Sequence, residues 1–70
     1  MLNILAHVTG TIARIEKNTG DAVIIGETLI VLESMKMEVC VEADVEGTVR
    51  EIRCRDNQAV SEGDILMVIE

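Results

Sequence analysis

The chain has 70 residues, 49% of them apolar and none aromatic, with 13 acidic against 6 basic side chains and a net charge of −7. That length holds one small domain with a core of Val, Ile, Leu, Ala and Met, and it leaves little room for a substrate pocket, which argues against an ordinary enzyme. The acidic balance and the lack of stacking side chains argue against nucleic acid as a partner, and no apolar run approaches the roughly 18–20 residues of a membrane span.

The predicted elements are all strands. The opening Met1-Leu2-Asn3 shows no basic segment leading into an apolar stretch, so the expectation is a cytoplasmic protein with soluble protein partners. A β-branched run over residues 11–15 follows Gly10, and Asn18-Thr19-Gly20-Asp21 reads as a turn. The pair Gly26-Glu27 introduces a continuous apolar run at 28–32. From Met35 to Ala43 the odd positions are apolar while Lys36, Glu38, Cys40 and Glu42 alternate with them, which predicts a strand after a tight turn near Met35-Lys36. By that parity Met37 shares the inward face of Val39 and Val41. Residues 48–52 and 65–69 give two more strands, with a turn at Asp56-Asn57-Gln58 and another at Gly63-Asp64. No segment shows helical periodicity over ten or more residues. The fold class is all-β, a sandwich or barrel.

An internal repeat organises these strands. Displacing the chain by 37 positions lays residues 6–33 over 43–70 without a gap. Ala6, Val8, Gly10, Thr11, Ile15, Ala22, Val23, Gly26, Leu29, Val31 and Glu33 then meet identical residues, from Ala43 to Glu70. Asn57 falls where the first copy has Gly20, and Asn tolerates the left-handed backbone region better than most residues. Two such copies pack most simply about a pseudo-twofold axis, each giving half the core. Residues 34–38 form the hairpin that joins them, with no counterpart in the second copy.

Lys36 lies in that junction between two thioethers, Met35 and Met37. Polar residues would be cheaper at an exposed turn, so the pattern suggests a surface that another protein grips. Lys17, the other lysine, lacks these flanks. Cys40 and Cys54 fit no metal-ligand spacing and fall on opposite faces of their strands, so neither a metal nor a disulfide is expected. His7 has no nucleophile or acid pair beside it and reads as a strand-end residue.

The segment Glu33-Ser34-Met35-Lys36-Met37-Glu38 resembles the attachment signature of biotinyl carrier domains, usually Glu-Ala-Met-Lys-Met. Gly20-Asp21-Ala22-Val23, Gly26-Glu27-Thr28-Leu29, Gly47-Thr48-Val49 and Gly63-Asp64-Ile65-Leu66 extend the resemblance from about Ile4 to Ile69. It implies a flattened, hammerhead-type barrel of two four-stranded antiparallel sheets, one domain over residues 1–70, with Lys36 at a hairpin tip and the chain ends opposite. It implies biotin as covalent cofactor on Lys36, attached by a biotin protein ligase that activates it as an adenylate. Met35 and Met37 are then flanking recognition residues, with Glu33 and Ser34 as further candidates for reading by the ligase, although the repeat mate Glu70 gives Glu33 a structural explanation too. The domain would be a non-catalytic swinging arm between biotin carboxylase and carboxyltransferase partners of a biotin-dependent, acyl-CoA-type carboxylase. No insertion interrupts the first copy, which matches the thumbless type, and Met1 close to the repeat start favours a free-standing carrier. The sequence departs from the family at Ala6-His7 and Ala43-Asp44, where Ala-Pro is common. The alternatives are a lipoyl or dual biotin/lipoyl attachment protein, with lipoate on the same lysine, and an unmodified docking module of the same fold.

Overall fold

Short β-branched segments punctuated by Gly and Asn turns fold into eight strands: β1 (Leu2–Leu5), β2 (Gly10–Ile15), β3 (Ala22–Val23), β4 (Thr28–Ser34), β5 (Met37–Glu42), β6 (Gly47–Ile52), β7 (Ala59–Val60) and β8 (Ile65–Ile69). The computed structural model describes all 70 residues, Met1–Glu70, and contains no helix. The strands pair antiparallel in two four-stranded sheets, ordered β1-β8-β6-β3 and β5-β4-β2-β7. Each sheet therefore mixes strands of both copies.

The backbone repeats with the sequence. Ile12 N–H donates to Gln58 O at 2.8 Å, and its mate Val49 N–H donates to Asp21 O at 2.9 Å. Glu16 to Leu29 O and Arg53 to Leu66 O are both 2.8 Å. The register breaks repeat as well, between Ile12 and Arg14 in β2 and between Val49 and Glu51 in β6. Gly20 and Asn57 take φ of 94° and 68°, so Asn does stand in for Gly at this turn. The pseudo-twofold is real in three dimensions.

It also runs further than the sequence identities. β1 is the mate of β5: Leu2 faces Ile69 and Ile4 faces Met67, just as Val39 faces Leu32 and Val41 faces Ile30. The structural repeat is thus 1–33 onto 38–70, longer than the expected 6–33 onto 43–70. Only residues 34–37 have no mate. These β1 and β5 positions keep apolar character without identity, which an identity count does not register.

The core lies on the axis between the sheets. Its twofold pairs are Ile4 with Val41, Ala6 with Ala43, Ile12 with Val49, Val23 with Val60, Leu29 with Leu66, Ile30 with Met67 and Leu32 with Ile69. Burying each large member contributes roughly 1.5–3 kcal/mol relative to leaving it in water. At two mated corners the chains approach so closely that only glycine fits. A Cβ on Gly10 would collide with the Glu33 carbonyl oxygen, and one on Gly47 with that of Glu70. The first contact presses the start of β2 against the base of the β4–β5 hairpin.

Candidate functional site

The β4–β5 hairpin ends in pairs Glu33↔Glu38 and Ser34↔Met37, closed by Met35 and Lys36 alone. Both closing residues have positive φ, 53° and 67°. A two-residue hairpin loop with positive φ at both positions matches the right-handed strand twist, and Asn-Gly is the residue pair that adopts it most easily. Met and Lys each bear a cost of roughly 1 kcal/mol or more in the left-handed region. Residues held in such a conformation at an exposed tip point to function rather than to local stability.

Nothing packs over this tip. Met35 is 93% exposed and Met37 is 68% exposed. The inward placement of Met37 is therefore corrected: it has the parity of buried Val41, but the hairpin carries it past the end of the core. Lys36 is exposed, and its Nζ enters no hydrogen bond or ion pair. Lys17 is the opposite case. Its Nζ lies 2.7 Å from Glu27 Oε2 and 3.1 Å from Ala22 O, with 17% of the side chain exposed. That hydrogen bond, helped by the Ile24 N–H, holds the Glu27 carboxyl below its usual range. One lysine is engaged and the other is presented.

The carboxylates beside the tip are unequal. Glu38 Oε2 lies 3.4 Å from the Arg14 guanidinium, whereas Glu33 has no partner. The mate of Glu33, Glu70, lies 3.3 Å from Arg50. Arg50 corresponds to Ala13 in the first copy, so the equivalent cation is missing beside Glu33. Ser34 turns inward and donates from Oγ to Thr9 O at 2.9 Å. Thr9 Oγ1 in turn accepts the Glu62 N–H at 3.2 Å. Thr9 carried no sequence signal, because its partners lie 25 and 53 residues away.

The remaining candidates lie elsewhere. Cys40 is exposed and Cys54 buried, as parity predicts, and burial with the nearby Asp56 charge pushes the Cys54 thiol up. His7 is exposed on the turn after β1. A shallow groove between the β1 and β5 edges, lined by Asn3, Leu5, His7, Cys40 and Asp44 among others, includes no tip residue. No three His, Cys, Asp or Glu side chains gather as metal ligands.

What this arrangement offers chemically is one free primary amine on a projecting turn, flanked by apolar thioethers and open to a second protein. Comparison with known proteins agrees. The model of the biotin/lipoyl family, described as "Biotin-requiring enzyme", matches residues 1–69. The chain is 32% identical over 66 residues to the biotin/lipoyl attachment protein of Bacillus subtilis, covering 94% of this chain and 90% of that one. It is 41% identical over 64 residues to the biotin carboxyl carrier protein of Streptococcus mutans, covering 91% of this chain and 49% of the relative. The urea carboxylase structure from Kluyveromyces lactis superposes on 99% of the chain with a TM-score of 0.93 at 30% identity, but only 6% of that enzyme is involved. The chain thus spans nearly all of a small attachment protein, half of a carrier and a small part of a carboxylase.

Proposed function

The chain belongs to the biotin/lipoyl attachment family, and from that premise we propose that it is a biotin carboxyl carrier domain whose acceptor is Lys36 Nζ. The observation that carries the assignment is the contrast between the two lysines: Lys36 stands free on a positive-φ turn while Lys17 is held by Glu27 and Ala22 O. A free amine on a two-residue tip fits covalent attachment through an amide, with no pocket required. The Lys36 ammonium loses its proton in the ligase site, the amine attacks the acyl carbon of biotinyl adenylate, and AMP leaves as the amide forms. Met35 and Met37 give the ligase an apolar grip on either side of the amine, and Glu33 adds an unpaired carboxylate. Attached biotin supplies a ureido nitrogen that can carry a carboxyl group.

The domain itself lowers no barrier; it is substrate for the ligase and then carrier. Tethering on a long side chain at a projecting tip replaces diffusive encounter with a high local concentration at each partner site. Those partners are a biotin carboxylase and a carboxyltransferase of a biotin-dependent carboxylase, a reading supported by the names of the carrier and carboxylase relatives. Intact mass after incubation with biotin, ATP and a biotin protein ligase tests the assignment. One biotinyl adduct is expected on the wild type and none on Lys36→Arg. A lipoyl adduct formed only with a lipoyl ligating system, or no adduct with either, would reject it in favour of a lipoyl or an unmodified module.

A further inference from the structure

The tip is braced at its base by two hydrogen bonds that the other half of the repeat does not make. Thr9 accepts the Ser34 hydroxyl through its carbonyl at 2.9 Å and the Glu62 N–H through Oγ1 at 3.2 Å. It therefore links the last pair of the β4–β5 hairpin to the turn before β8. Next to it, Gly10 meets the Glu33 carbonyl and Ser34 Cβ with no space for a side chain. At the mated end Glu46 replaces Thr9 and Ile25 replaces Glu62, so the Oγ1 bond has no counterpart, and the Ser34 bond has none because Ser34 itself has no mate. So the twofold is broken at the end that bears the lysine.

We propose that Thr9 is a positioning residue for the acceptor lysine, fixing the hairpin base through Ser34 and Glu62 so that the tip meets the ligase already ordered. The proposal rests on the reading that Lys36 accepts biotin. A projecting two-strand hairpin has little tertiary packing of its own, and ordering it before the encounter removes that cost from binding. Because Thr9 touches neither the amine nor the incoming acyl group, its loss weakens docking and leaves the chemical step alone.

The experiment compares wild type with Thr9→Val, Ser34→Ala and Thr9→Ser by two readouts, amide exchange along the hairpin and biotinylation kinetics. Thr9→Val and Ser34→Ala should each speed exchange of the Ser34 and Met37 amides, the pair that closes the turn, about three- to tenfold, the effect of losing one hydrogen bond. They should raise KM by a similar factor with kcat unchanged, and Thr9→Ser should restore both. Equal slowing of kcat, or loss of protection spread across all strands, would show a merely structural role and overturn the proposal. Unchanged tip exchange in Thr9→Val overturns it even if Lys36 takes biotin normally. If wild-type Lys36 takes no biotin, the functional reading fails, and tip exchange still decides the bracing by itself.

Discussion

Lys17 and Cys54 occupy the same place in the two halves of the repeat and solve the same problem differently. Cys54 fills its site with a buried thiol, whereas Lys17 lays its stem there and sends its ammonium out to Glu27. On the proposed reading this pairing makes Lys17 the poorer acceptor of the two lysines. Glu27 gives this arrangement a pH signature. A carboxyl held below its usual value stabilises the fold above the ordinary carboxylate range and loses that contribution as pH falls through its lowered value. Glu27→Gln should therefore flatten the acid limb of stability measured by thermal melts from pH 7 to pH 3, with little change in its neutral plateau slope. The cysteines separate in the same manner. Cys40 should react with a thiol reagent at once, and Cys54 only as fast as the domain opens, because its thiol is both buried and pushed up. Rapid loss of both thiols in native protein would contradict the burial.

At the scale of the element, the β4–β5 hairpin trades stability for presentation. Asn suits the left-handed conformation of Met35 far better than Met does, so Met35→Asn should stabilise the domain by about 0.5–1 kcal/mol, read as a higher Tm. It should also slow biotinylation, since the apolar grip is lost; a stabilised variant that is modified as fast as wild type would leave Met35 without a recognition role. Met37→Ala should leave stability within about 0.5 kcal/mol, because the side chain fills no cavity. Sequence patterning misplaced this residue for a simple reason: alternation reports which side of a strand a residue takes, not how far the strand runs beyond the core. The turn itself was legible, because Met35 and Lys36 sit where the repeat is interrupted. Its bracing was not, since nothing local in Thr9 or Ser34 announces a bond across 25 residues.

The whole molecule is two copies sharing two sheets, and that plan was legible because most of the eleven identities fall on turns and core positions where the backbone tolerates few alternatives. It leaves no identities in β1 and β5, where any branched apolar residue serves. The plan also makes the chain ends the mates of the lysine tip. Met1 corresponds to Glu38 and Glu70 to Glu33, so the four residues 34–37 span at one end what is left open at the other. Joining Glu70 to Met1 through a Ser-Met-Lys-Met linker should build a second hairpin there. The matching permutant is opened between Met35 and Lys36 and carries Lys36→Arg to silence the original acceptor. It should fold, because β1 and β8 already pair up to Leu2↔Ile69 as β5 and β4 pair at Val39↔Leu32. Its surroundings differ from the native tip, with Glu46 in place of Thr9 and exposed Ile24 and Ile25 in place of Ser61 and Glu62. If ligase recognition needs only a projecting Met-Lys-Met turn, the transplanted lysine is modified at the native rate. If the bracing at Thr9 contributes, the new site is biotinylated with a KM raised about three- to tenfold, as expected for one lost hydrogen bond. Circular dichroism establishes that the permutant is folded, and ligation kinetics on it then separate the tip from the base that holds it. The slower outcome is the expected one, because the twofold supplies the turn and a backbone carbonyl for the linker serine at both ends but the Thr9 Oγ1 bond to Glu62 at only one.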